Sequence, residues 1–233
     1  MKYQLLPCAI IISLASMAQP AKTKTLPKTP PATTLRTTID SASYAIGISI
    51  ATFYNEQGLK GINPQVVAKA ISDVQGKKKT SLSEYEANTI LMDYMNRIQE
   101  SKAKPNIVAG EKFLEQNKTK PGVTITGSGL QYEIIAQGLG PKPMETDTVV
   151  AHYAGSLLSG EEFDNSYKRG EPITFAVTGV IKGWTEALQI MPVGSKYRLY
   201  IPHNLGYGIH ESGAIPGGSV LVFDVELLSI KGK

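Results

Sequence analysis

The side chains best suited to act on a bound molecule lie in five short blocks of the second half of the chain. These are His152-Tyr153-Ala154-Gly155, Gly160-Glu161-Glu162-Phe163-Asp164-Asn165-Ser166, Val180-Ile181-Lys182-Gly183-Trp184, Ile201-Pro202-His203-Asn204-Leu205-Gly206-Tyr207-Gly208 and Leu221-Val222-Phe223-Asp224-Val225-Glu226-Leu227-Leu228. Aromatic and aliphatic residues dominate them. No plausible Ser/His/Asp set or metal cluster is present, and three histidines in 233 residues are too few to suggest a site by themselves. Taken singly, each aromatic reads first as an ordinary core position.

The elements that must position these blocks change character along the chain. From Ile39 to Asn117 the apolar spacing is helical. Asp40 or Ser41 can cap a first helix with Tyr44, Ile48 and Ala51 on one face, ending near Gly58. Asn63-Pro64 opens a second, striped by Val67, Ala70, Ile71 and Val74 and stopped at Gly76. Ser81-Leu82-Ser83-Glu84 reads as a capping box for a third, longer helix carrying Tyr85, Met92, Met95 and Ile98. Pro105 should kink or interrupt it before Ile107 to Gln116 resumes. These helices are too small to bury their apolar faces alone, which suggests a second copy of the same surface.

After Pro121-Gly122 the pattern alternates. Gln131–Ile135, Thr148–Leu158, Ile173–Val177, Lys196–Ile201 and Val220–Ile230 read as strands, with one helical segment near Trp184–Met191. An antiparallel sheet wrapped on one short helix is an α+β arrangement.

Residues 1–18 read as an export signal: Lys2, the apolar run Leu5 to Leu14, and a Ser16-Met17-Ala18 cleavage site. Its apolar run is too short to remain as a membrane span. Cys8, the one cysteine, lies within it, so cleavage leaves a mature chain with no disulfide, thiolate nucleophile or zinc–thiolate site. Residues 19–38, rich in Pro, Thr and Lys, read as a flexible tether. The net charge of +4 comes largely from residues 22–28 and Lys77-Lys78-Lys79, without the interleaved aromatics of a nucleic-acid platform.

In order and spacing, the five blocks resemble the FKBP-type peptidyl-prolyl cis-trans isomerases, over residues 121–233. The helical segment 39–120, including Ser43-Tyr44-Ala45-Ile46-Gly47, resembles more loosely the dimerisation domain of that family's FkpA and macrophage-infectivity-potentiator branch. The reaction implied is rotation about X–Pro, against a barrier of about 20 kcal/mol set by amide resonance. The twisted amide carries less charge separation than the planar one, so a dry pocket favours it.

The resemblance implies roles. Trp184 is the floor under the proline ring; Tyr153, Phe163, Val180, Ile181 and Phe223 are walls. Tyr207 and the Ile181 amide hold substrate carbonyls, and Asp164, oriented by Tyr153, sits by the twisting carbonyl. Phe175 and Ile215 complete the substrate-binding set, together with Ile173, which stands where most relatives have an aromatic residue. Gly217-Gly218 replaces a commoner proline and polar residue, implying a looser flap. His152 points away from the pocket, and His203 and His210 lie on surface loops.

The reading is therefore an exported, homodimeric prolyl isomerase, paired through residues 39–117, acting on proline-containing unfolded or nascent exported proteins. It needs no cofactor and no metal, and binds no nucleic acid. In a Gram-negative cell its place is the periplasm or the periplasmic face of the outer membrane. Macrolide inhibitors of the family are implied ligands. A module that only holds unfolded chains, or an inert surface scaffold, is the rival reading, and isomerase turnover separates them.

Overall fold

The apolar alternation after residue 121 builds one antiparallel sheet, and the helical spacing before it builds three helices. The computed structural model describes residues 34–232. The predicted signal over 1–18 and most of the tether, 19–33, lie outside the described residues. Two compact units divide at Ile50, the second running from Ala51 to the end.

Helix α1 spans Thr38–Glu56, α2 Pro64–Gln75 and α3 Glu84–Asn117. The cap of α1 is Thr37, not Asp40 or Ser41. The Asp40 amide donates to Thr37 Oγ1 at 3.1 Å and the Thr37 amide to Asp40 Oδ2 at 3.0 Å. Asp40 thus serves three positions inside the helix as the reciprocal partner of a capping box. Asn63 caps α2 as expected, its side chain accepting from the amides of Gln65 and Val66. For α3 the expected box on Ser81 and Glu84 falls two residues early: Ser83 and Glu86 form it. The sequence offers two overlapping S-x-x-E patterns there, and spacing alone does not choose between them.

Pro105 does not interrupt α3, which runs on through it. The lost amide donor is outweighed by packing on both sides of that turn. Ala103 is fully buried and Asn106 bonds to the carbonyl of Gly217. Further toward its start, α3 receives the turn after α1: Leu59 is buried, and Gly58 lies against Ile98 and Lys102. Otherwise the apolar stripes of the helices stay open. α1 buries no residue, and Tyr44, Ile48, Val66, Val74, Tyr85 and Met92 are exposed. Among the described residues no helix is long and apolar enough to cross a membrane.

The strands are β1 (Val123–Ile125), β2 (Gln131–Ala136), β3 (Thr148–Leu157), β4 (Glu162–Asn165), β5 (Ile173–Ala176), β6 (Lys196–Ile201) and β7 (Leu221–Ile230). They pair antiparallel in the order β1-β2-β6-β7-β3-β4, with β5 also on β3. β1 and β4 are additions to the strands expected. So is the four-residue helix α4, Ser166–Arg169, which follows β4 directly. Helix α5, Lys182–Ile190, lies on the sheet through Trp184, Ala187 and Leu188, all buried. Gly183 lets it approach closely: a Cβ there would come within 2.5 Å of Ile201 Cγ2. From β3, Val149, Ala151 and Tyr153 face this core, and from β7 Leu221, Phe223, Val225 and Leu227 do.

Candidate active site

At one end of the sheet, between α5 and the loop before β7, the core opens into a cavity of about 640 Å³. The alternation of β3 and β7 sends Tyr153 and Phe223 to the same face, where their register pairs Tyr153 with Val225 and Gly155 with Phe223. Trp184, in the first turn of α5, is 4% exposed. Its ring meets Tyr153, Phe223 and Phe175 edge-on, at 5.2, 5.2 and 5.5 Å between centroids. Phe163 meets Phe223 at 5.4 Å in the same manner. Edge-to-face contacts suit the quadrupoles of the rings and fix their orientation. Gly155 is where this cluster fits, because a Cβ there would lie 2.5 Å from Phe223 and 2.6 Å from Phe163.

The cavity is lined by Tyr153, Phe163, Asp164, Ile173, Val180, Ile181, Trp184, Tyr207, Ile215 and Phe223, together with Gly179 and Ser212–Ala214. Phe175 does not line it. β5 runs past the cavity, so Ile173 reaches the opening while Phe175, two residues on, passes behind Trp184 and supports it. His152 points to the opposite face, stacked 4.4 Å from the Tyr167 ring. His203 sits in a 3₁₀ turn and His210 is exposed.

The polar edge of the cavity is a three-residue cluster. The Tyr153 hydroxyl donates to Asp164 Oδ2, and Arg169 donates from Nη1 to Asp164 Oδ1 and from Nη2 to the Tyr153 hydroxyl oxygen at 3.0 Å. The guanidinium carbon lies 5.5 Å from the Tyr153 ring centroid. Burial works to raise the Asp164 carboxyl, but the hydrogen bonds from Tyr153 and Arg169 outweigh it and hold the group below the usual carboxylate range. Burial, aided by the bond to Asp164, raises the Tyr153 phenol. Asp164 is therefore a carboxylate at neutral pH and Tyr153 a neutral donor.

Sequence reasoning missed Arg169. Asn165 caps the short helix α4, accepting from the amides of Tyr167 and Lys168, and that turn carries Arg169 back over Asp164. An Asn followed within one turn by Lys-Arg-Gly was the available signal. Ser166 was also missed. Fully buried, it accepts from the Tyr153 amide at 2.7 Å and donates to the Tyr153 carbonyl at 3.1 Å, holding the backbone from which that ring projects. Gly217 and Gly218 were expected to loosen the flap, yet both are buried in close contact. A Cβ on Gly217 would strike the Ile209 carbonyl, and one on Gly218 would come within 2.6 Å of the Ala103 carbonyl.

Among the described residues no group of three His, Cys, Asp or Glu side chains is arranged to hold a metal. The arrangement offers a substrate an apolar bed, one oriented carboxylate and, on the exposed Tyr207, a phenol at the mouth.

A family model described as FKBP-type peptidyl-prolyl cis-trans isomerase matches residues 140–228. A second, the domain amino terminal to FKBP-type peptidyl-prolyl isomerase, matches residues 39–134. The chain is 37% identical over 255 residues to the FKBP-type peptidyl-prolyl cis-trans isomerase FkpA of Aeromonas hydrophila, covering 99% of this chain and 94% of the relative. It is 39% identical over 208 residues to the outer membrane protein MIP of Legionella longbeachae, covering 86% and 89%. The crystal structure of FkpA from Escherichia coli aligns with a TM-score of 0.56 at 35% identity, over 85% of this chain and 99% of that one.

Proposed function

The chain belongs to the FKBP-type peptidyl-prolyl cis-trans isomerases, and we propose that it assists the folding of exported proteins by twisting their X–Pro bonds in the Trp184 cavity. The observation that carries this reading is the union of two features. One is the aromatic bed of Trp184, Tyr153, Phe163 and Phe223, and the other is the Tyr153–Asp164–Arg169 cluster at its edge.

A proline ring set on Trp184 removes the imide nitrogen from water, and Val180, Ile181 and Ile215 exclude water around it. In the planar imide the nitrogen lone pair is delocalised onto oxygen; in the twisted one it is not. Loss of that charge separation costs less in an apolar site than in water, so binding favours the twisted form. Asp164 faces the carbonyl whose oxygen becomes less negative on twisting, so its repulsion is greater in the ground state. Tyr207, at the mouth, donates to a neighbouring substrate carbonyl, and the amide of Ile181, where α5 begins, holds another.

The exposed apolar residues of α1, α2 and the first half of α3 support self-association through residues 39–117. The predicted signal and one relative's name, an outer membrane protein, support action outside the cytoplasm, in the periplasm or on the periplasmic face of the outer membrane. The test is turnover of a proline tetrapeptide beside proline-limited refolding of a model protein. Binding of unfolded chains with no acceleration of either would leave only a holding module.

A further inference from the structure

The loop over 206–219 carries Tyr207 to the mouth of the cavity and supplies Ser212 to Ile215 as its outer wall. Its closing corner rests on α3. Asn106 Nδ2 donates to the Gly217 carbonyl at 2.9 Å, across 111 positions of sequence. At Gly218, where φ is +79°, an added Cβ would meet the Ala103 carbonyl at 2.6 Å and Ile107 Cγ1 at 2.8 Å. One turn past Asn106, a Cβ on Gly110 would meet Val220 Cγ2 at 2.7 Å. The corner is then tied to the start of the loop: the Gly218 amide donates to the Gly208 carbonyl at 2.8 Å, and the Gly208 amide to the His203 carbonyl at 2.8 Å. Bonds thus run from the helix, through the two glycines, to the residue next to Tyr207.

We propose that Asn106 is a positioning residue of the isomerase, ordering the Tyr207 and Ser212–Ile215 wall through Gly217 and Gly218. The inference rests on the isomerase reading of the cavity. A wall ordered in advance spares the substrate the entropy of ordering it, so its loss is felt in binding. The floor, built from α5 and the sheet, is untouched. Loss of Asn106 therefore raises KM and leaves kcat at the parent value.

The test uses the full chain with Asn106→Asp, nearly the same shape but unable to donate, and Gly218→Ala, which pushes the corner off the helix backbone. Lys104→Ala, at an exposed position two residues before Asn106, is the control. Proline-tetrapeptide kinetics are measured beside melting temperature, hydrogen exchange at the Gly218 amide, and emission of Trp184, the chain's single tryptophan, during titration with the same peptide. Asn106→Asp should raise KM and the titration midpoint by roughly 2- to 10-fold, the range of one lost neutral hydrogen bond, and Gly218→Ala should raise both in the same direction. Exchange at Gly218 should quicken, and Lys104→Ala should match the parent. Parent KM and parent exchange in both variants would overturn the proposal. So would a fall in kcat that tracks a fall in melting temperature. A parent chain with no turnover would defeat the isomerase reading instead, and exchange and Trp184 emission would still decide whether Asn106 orders the wall.

Discussion

Asn117, the last residue of α3, donates from Nδ2 to Gln131 Oε1 at 3.1 Å, and Gln131 returns a bond from Nε2 to the Leu114 carbonyl at 2.9 Å. Both side chains are buried, at 0% and 2% exposed. Beside them the rings of Phe113 and Tyr200 lie 5.7 Å apart. Helix and sheet are thus sealed by a small polar network inside an aromatic contact. Asn117 Oδ1 already lacks a protein partner, so the network has no slack. Replacing Gln131 with Ala should cost about 1–3 kcal/mol, the cost of leaving a buried polar group unpaired. Urea denaturation checks this, and an unchanged midpoint would show that water takes over the bonds.

Truncation should expose the same joint. A fragment of residues 121–233 lacks Phe113, Leu114 and Asn117, whereas one of 101–233 keeps them and Asn106. The shorter fragment should melt lower and bind a proline peptide more weakly, and both should be monomers by light scattering. Equal melting and equal KM would mean that α3 adds nothing to the catalytic half.

Within the cavity, Asp164→Asn and Tyr207→Phe should lower kcat/KM while the fold stays intact, Tyr207→Phe melting near the parent value and Asp164→Asn losing only the stability of its exposed pairing with Arg169. A lost neutral bond predicts roughly 2- to 10-fold for Tyr207→Phe, and more for the charged Asp164. Trp184→Ala should damage both activity and fold, by about 3–5 kcal/mol in stability. Parent rates in the first two would remove those residues from the mechanism.

Acid should act on Asp164 in one direction. Its carboxyl is held below the ordinary value of about 3.9. Its contribution to stability is therefore complete above that value and is lost as pH falls through the lower folded one. The side chain is 40% exposed, so solvent weakens the effect. The advantage of the parent over Asp164→Asn in urea midpoint should be flat from pH 5 to 8 and shrink below about pH 4. A gap that stays constant into acid would contradict the pairing with Arg169.

Self-association should matter for proteins more than for peptides. Residues 39–117 should form dimers, and a client chain touching two cavities gains effective concentration, roughly 10²–10⁴-fold in apparent affinity when geometry permits. Full-length protein should then accelerate proline-limited refolding far more than fragment 101–233 at equal active-site concentration. Equal acceleration would reduce the helical part to a spacer.

Much of this was legible in the sequence because strand alternation and block order are local properties. Tyr153, Phe223 and Trp184 face one space because period two and one helical turn put them there. What was not legible depends on approach between distant segments. Arg169 meets Asp164 only through a four-residue helix too short to show periodicity. Phe175 entered the substrate-binding set through the family resemblance, and only the packing of its ring against Trp184 shows that it supports the cavity without lining it. Gly217-Gly218 read as slack because glycine is permissive in isolation. Against the backbone of α3 the same residues permit contact that any side chain would prevent. Pro105 read as a kink or an interruption because its missing donor is local; the interruption does not occur, and the burial of Ala103 beside it is not a local property.

Tyr153, Trp184, Phe223 and Ile215 belong at once to the cavity and to the hydrophobic core. Ser212, Gly213 and Ala214 line the cavity but stand outside that core. Heritable change therefore meets two different filters. A substitution in the bed is screened by folding before its effect on turnover can be selected. A substitution at Ser212 or Ala214 alters what the opening admits at little thermodynamic risk, whereas Gly213, at a φ of +57°, is held by its backbone. Divergence in which residue is preferred before proline should accumulate there, with the reaction itself unchanged.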